Sequence, residues 1–127
     1  MSGLFTPKGF LTIGGGVLLL VGILGYVGVI GPTAAQSPFG EAWYFDDAEN
    51  LAHTVLGVVA IAAAYVLSAG MRKNLVLLLG VVGILVAGYN LFSTSLLGAT
   101  LQNPADLILH LVVGAWALYA SMGSGGK

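Results

Sequence analysis

Apolar and polar positions along this chain fall into long blocks rather than an alternating pattern. Phe10 to Ile30 is 21 positions (30 − 10 + 1) of apolar and small residues without a charge. About 20 apolar residues suffice to cross the hydrocarbon core of a bilayer, and Gly31-Pro32 stops the run. The run is longer than the apolar stretch of a secretory signal, so it reads as a retained helix. A second block starts at Asp46-Asp47-Ala48-Glu49, where Asp46 and Glu49 have the spacing of a capping box. It runs to about Met71, with Arg72-Lys73 as its stop. Leu75 to Leu97 is the third block, turning polar at Asn90, Ser93, Thr94 and Ser95. Asn103-Pro104-Ala105-Asp106 starts the fourth, with Asn103 as cap and Pro104 in the first helical position. It ends near Met122. The pattern predicts an all-α protein with four transmembrane helices.

Composition sharpens this. Of 127 residues, 57% are hydrophobic and 7% charged, whereas a soluble domain carries about 25% charge to face water. The length allows a single domain, 1–127. A net charge of −1 leaves no footprint for nucleic acid. With no cysteine there is no disulfide and no thiolate site. Lys8, Arg72, Lys73 and Lys127 fall on one side of a four-span layout, and Glu41, Asp46, Asp47, Glu49 and Asp106 on the other. Basic short loops mark the cytoplasmic side. Both termini are therefore expected in the cytoplasm, in a multi-pass protein of a bacterial inner membrane. Trp43, Tyr44 and Phe45 suit an interfacial aromatic belt.

One stretch occurs twice. Glu49, His53 and Gly57 recur as Asp106, His110 and Gly114, each 57 residues on (106 − 49), and these histidines are the only two. Val21-Gly22-Ile23-Leu24 recurs as Val82-Gly83-Ile84-Leu85 at an offset of 61. The fold expected is a four-helix bundle of two repeated hairpins, about 10–71 and 75–122. The loop of the second is four residues shorter (61 − 57), and a pseudo-two-fold axis lies along the membrane normal. Each histidine follows its cap by seven residues, roughly 10 Å along the helix. His53 and His110 then lie at one depth, in a polar layer with Asn90, Tyr26 and Tyr89 facing the interior.

Three readings of the pair stay open. In the structural one, the imidazoles pack and hydrogen-bond, the carboxylates cap, and Gly57 and Gly114 let helices approach. In the second, His53 and His110 are axial ligands of a haem b or of (bacterio)chlorophyll, with Gly57 and Gly114 making room for the ring. The acids at i−4 would then orient the imidazoles. Helix packing at roughly 8–10 Å opposes a ring between neighbours. In the third, two histidines and two carboxylates hold a transition metal or proton. Gly22, Gly25, Gly28 and Gly31 on helix one, with Gly80, Gly83 and Gly88 on helix three, read as packing contacts. Gly14-Gly15-Gly16 has neither the strand nor the Gly-Lys-Ser/Thr of a phosphate loop, and no nucleophile–base–orienter set is present.

The stretch Tyr44-Phe45-Asp46-Asp47-Ala48-Glu49-Asn50-Leu51-Ala52-His53-Thr54-Val55-Leu56-Gly57, with its second Asp-x3-His-x3-Gly copy, resembles a domain-of-unknown-function family of small bacterial four-helix membrane proteins. The resemblance implies the four-helix topology and assigns no activity, cofactor or site residue. The expected function is non-enzymatic: an accessory or structural subunit of a larger membrane complex, or a homo-oligomer. Its partners are the lipid bilayer and other membrane subunits or itself. The alternatives are an electron- or energy-transfer subunit carrying haem or chlorophyll and, more remotely, a channel or transporter subunit.

Overall fold

The computed structural model describes residues 2–123; Lys127, counted above with the basic end, and the rest of the tail from Ser124 lie outside them. Four α-helices dominate: α1 Pro7–Tyr26, α2 Asp47–Val66, α3 Ala69–Asn90 and α4 Ala105–Ser121. Three short 3-10 turns and a two-stranded ribbon, β1 Ser95–Leu96 against β2 Ala99–Thr100, complete it. The first three helices are long and apolar enough to cross a membrane. At 17 residues, α4 is shorter.

The helix limits differ from those expected, for local reasons. The first begins at Pro7 rather than Phe10, because Thr6 is an N-cap: its Oγ1 accepts from Gly9 N at 3.1 Å. It ends at Tyr26 rather than Ile30. Gly28 adopts φ +84°, a conformation glycine reaches without a steric penalty, and Val29 N and Ile30 N both turn back to Leu24 O. The second ends at Val66, not Met71. Leu67 is extended and Ser68 already caps α3, its Oγ accepting from Met71 N. Arg72 and Lys73 therefore lie in the first turns of α3. Arg72 still acts on the second helix, because its Nη1 donates to Leu67 O at 2.6 Å and Ala64 O at 3.3 Å, carbonyls at that helix's C-terminus. The third ends at Asn90, so Ser93 to Leu97 belong to the loop and ribbon. The peptide bonds before Pro32 and Pro104 are cis.

The helices pair as two hairpins, α1 along α2 and α3 along α4. Inside each, small residues bring backbones together, as expected where lipid supplies no hydrophobic drive to association. A Cβ on Gly57 would lie 2.7 Å from Leu19 N and 2.8 Å from Gly15 O; one on Gly83 would lie 3.1 Å from Gly114 Cα. The buried positions of the two hairpins stand in fixed register. Leu11, Gly15, Gly22 and Gly25 on α1 match Val76, Gly80, Ala87 and Asn90 on α3, each 65 residues on. Glu49, Gly57, Ala60, Ala63 and Ala64 on α2 match Asp106, Gly114, Ala117, Ala120 and Ser121 on α4, each 57 on. The Val-Gly-Ile-Leu match at 61 lies four residues, about one helical turn, off this spacing (65 − 61), and the connection 91–104 is six residues shorter than 27–46 (20 − 14), not four. With apolar side chains on every face of a lipid-embedded helix, a short sequence match does not reveal which residues point inward.

The hairpins join differently at their two ends. At the basic end the contact is apolar: Phe10, Leu11, Ala60, Ala64, Val76, Ala117 and Ala120 form one core to which all four helices contribute. Trp116 stacks edge-on to Phe10 at 4.5 Å between centroids, and its indole N–H donates to Leu4 O at 2.8 Å. Lys8 Nζ sits 4.8 Å from the Tyr65 ring centroid. At the acidic end the contact is polar, and it is there that the repeated carboxylates lie.

Candidate functional site

The acidic end is built from two helix starts. At α2 the expected capping box is present: Glu49 N donates to Asp46 Oδ1 at 2.9 Å and Asp46 N to Glu49 Oε1 at 3.2 Å. The other oxygen of Asp46 accepts from Thr100 N at 2.7 Å, on the ribbon of the second hairpin. At α4 the cap differs from the one expected. Asn103 does not cap; its Nδ2 donates to Asn90 O at the end of α3. Pro104 stands just outside the helix. No side chain caps the helix; Asp106 reaches back to the loop instead, with Oδ2 accepting from Gln102 N at 2.7 Å and Oδ1 from the Trp43 indole at 3.2 Å.

These bonds form a reciprocal clasp. A carboxylate of the first hairpin, Asp46, is held by a backbone N–H of the second, and a carboxylate of the second, Asp106, by an indole of the first. Asp106 is 1% exposed, so its two donors are also what makes its burial tolerable. Nothing local in the sequence signals the clasp, since its partners are 54 and 63 residues apart.

The histidines lie beneath these caps, half-buried. Their settings differ. His110 Nδ1 is 2.7 Å from Asp106 O, one turn back on its own helix. A carbonyl only accepts, so that nitrogen carries the proton and Nε2 presents the lone pair. His53 stacks edge-on to Phe45 at 4.9 Å, and its buried Nδ1 has no hydrogen-bond partner among the described residues.

Of the expected polar layer, Asn90 is buried, donating to Ser93 O at 3.0 Å. Tyr26 and Tyr89 do not join it. They are 45% and 42% exposed, and the Tyr89 hydroxyl bonds to Ser95 O in the loop. A phenol near a helix end keeps its ring in the apolar phase and turns its polar tip outward. A residue not anticipated takes part instead. Asn50 is fully buried, its Nδ2 donating to Phe45 O at 3.1 Å and its Oδ1 lying against Gly25 in the space a side chain there would fill. The signal was available, as Asn50 lies seven residues, two turns, before Gly57 and so on the same helix face.

Gly57 and Gly114 do not open room beside the histidines. Gly57 faces the backbone of α1, and a Cβ on Gly114 would stand 3.0 Å from Ile84 N on α3. The space that a flat ring would need over each glycine is filled by the partner helix of its own hairpin. Among the described residues, no group of three or more His, Asp or Glu is placed to hold a metal ion. Two surface clefts flank the caps. One, of about 240 Å³, is lined by Tyr44, Thr94, Gln102 and Asn103; the other, of about 330 Å³, by Phe39, Trp43, Ala105 and Leu109. Neither lining includes a histidine. Comparison with known proteins adds no assignment to this geometry: no protein-family model, curated protein or solved structure matches the chain.

Proposed function

We propose that this chain is a small non-enzymatic integral membrane protein that acts by packing, as an accessory or structural subunit of a larger membrane complex or as a homo-oligomer. The observation that carries this reading is how the repeated motif is used. Glu49 closes a capping box, Asp106 closes the clasp, and Gly57 and Gly114 seat each helix on its hairpin partner. The broad apolar faces support it too. The 18-residue apolar window of α3 is only 11% buried, against 28% for α1 and 33% for α2. Lipid alone tolerates such a face, but a helix this exposed is also the natural contact for a neighbouring subunit.

The same proposal includes a topology. All four helices cross the inner membrane, α4 by the minimum length that allows it. The basic end with Lys8, Arg72 and Lys73 lies in the cytoplasm, and so do both termini. The hairpins descend from a duplication, which the 65- and 57-residue spacing of buried positions favours. Kinship with the domain-of-unknown-function family rests on the Tyr44–Gly57 stretch and its second copy at Asp106, His110 and Gly114.

A second reading, tetrapyrrole ligation, keeps one observation in its favour. His110 has the tautomer of a ligand, Nδ1–H held by a carbonyl and Nε2 free. Purification in mild detergent from haem-replete cells separates the two. The packing reading expects a colourless preparation whose native mass exceeds one 12.9 kDa chain. A Soret band lost in both His53→Ala and His110→Ala overturns it. So does a colourless monomer that stays monomeric in extracts of its own host membrane.

A further inference from the structure

We propose that the tip of the second hairpin's loop, Phe92 with Leu97, inserts into the lipid leaflet at the acidic end of the bundle, anchoring the protein at that interface. The inference needs only that α3 crosses the bilayer, and it stands or falls independently of the packing role.

Leu97 carries it. With Gly98 it forms the two-residue turn between β1 and β2, at φ +51° and +85° respectively. Turns with two positive φ values select Asn-Gly or Asp-Gly, because a Cβ in this region crowds the backbone. Leu97 is the only non-glycine residue with positive φ among the described residues, and it is 96% exposed. A leucine here strains the turn and, in water, would gain nothing in return. Phe92 is 90% exposed on the same loop, with Leu91 beside it at 64%.

Two further observations point to lipid as the occupant. First, from Asn74 through Ala105 no residue is charged, whereas the corresponding loop of the first hairpin carries Glu41 and Asp46. Second, the loop satisfies many of its polar groups internally. Leu101 N donates to Thr94 O, Asn90 Nδ2 to Ser93 O, and both the Tyr89 hydroxyl and the Ser93 hydroxyl to Ser95 O. Internal satisfaction of this kind is what an apolar surrounding demands of irregular backbone. The loop also continues the lipid side of α3, whose exposed Leu78, Val82, Leu85 and Tyr89 lead to Leu91 and Phe92. At 22 residues, α3 spans about 33 Å, roughly the hydrocarbon thickness, so the loop emerges at the interface.

The chain has no cysteine, so single-cysteine variants report position directly. Leu97→Cys, Phe92→Cys and, in the first loop, the exposed Ala35→Cys are each spin-labelled and reconstituted full-length into phosphatidylcholine vesicles. Collision with oxygen, which partitions into lipid, is compared with collision with a water-soluble nickel chelate. Labels at 92 and 97 are expected to favour oxygen and the label at 35 the chelate. If 92 and 97 favour the chelate as 35 does, the tip lies in water and the proposal fails. If they are shielded from both reagents and labels on neighbouring molecules broaden each other's spectra, a second copy covers the tip and the proposal fails equally. Should Leu97→Cys not reconstitute, the Phe92→Cys label decides alone.

Discussion

The two hairpins share a scaffold and fill it in opposite ways. In the first, α1 contributes the small residues, Gly22 and Gly25, and α2 the polar ones, Thr54 and Asn50, that fit against them. In the second, the place of Gly25 is taken by Asn90 and that of Asn50, 57 residues on, by Leu107. Each hairpin buries one asparagine, on opposite helices of the pair. A buried amide in a membrane bundle needs a carbonyl within reach more than it needs a particular helix. Asn50 finds Phe45 O before α2, and Asn90 finds Ser93 O after α3. The helix carrying the polar group can therefore change while the small-residue packing at the other end stays, with Gly15 and Gly80 on one helix and Ala60 and Ala117 on the other.

The largest difference should come from the glycines. In the first hairpin, Gly57→Ala drives a Cβ to 2.7 and 2.8 Å from two backbone atoms; in the second, a Cβ on Gly114 meets one backbone atom, Ile84 N, less closely at 3.0 Å, with the yielding end of the Ile84 side chain at 2.9 Å. Overpacking costs about 1–3 kcal/mol. The upper value is expected for Gly57→Ala and the lower for Gly114→Ala, read from thermal unfolding in one detergent. Equal costs would mean that the tighter backbone contact at Gly57 yields as easily as the looser one at Gly114, and the comparison breaks there.

The carboxylates rank next. Asp106→Ala strands a buried backbone N–H and an indole N–H, and about 2–3 kcal/mol is expected. Glu49→Ala removes the returning half of a capping box, and about 1 kcal/mol is expected. Asp46→Ala should also speed hydrogen exchange at the Thr100 amide, a readout that loss of the α2 cap alone would not move. An unchanged exchange rate at Thr100 would dissolve the reciprocal clasp.

Arg72 tests the connection between the hairpins. Arg72→Ala leaves Leu67 O and Ala64 O without their guanidinium donor and should cost about 1 kcal/mol. The smallest effect is expected at the histidines, and there the sign differs. His110→Phe loses the bond to Asp106 O, about 1 kcal/mol. His53→Phe keeps a ring against Phe45 and removes a buried nitrogen that has no partner among the described residues, so stability should hold or rise slightly. A loss at His53 as large as at His110 would give His53 Nδ1 a partner and restore the symmetry of the pair.

Much of the fold was legible because lipid imposes it. Long uncharged runs, the Asp46–Glu49 capping box and the interruption near Pro104 read directly as helices and their limits. The errors at Phe10, Ile30, Met71 and Leu97 share one cause. In an apolar chain, hydrophobicity does not fall at a helix end, so only dihedral and capping chemistry marks it, as Thr6, Gly28 and Ser68 do. The site was less legible. Glu49 as a capping group and Gly57 and Gly114 as contacts follow from type and spacing, whereas Asp106 caps no helix N–H and bonds to the loop and Trp43 instead. The outward turn of Tyr26 and Tyr89 and the part played by Asn50 depend on rotation about the helix axis, which amphipathicity reveals only when one face is polar.

By itself, then, the sequence determined the solvent, the number of helices and the starting chemistry of α2, because backbone hydrogen bonding in lipid admits few alternatives. The tertiary structure decided the rest. It set the one-turn shift that aligns the buried faces at 65 and 57 residues. It turned Gly57 and Gly114 toward their own hairpin partners, and it sent Trp43 and Thr100 to carboxylates more than fifty positions away. The physical reason is the same in each case. A small residue or a carboxylate is compatible with several neighbours, and only the packing of whole helices selects which one it meets.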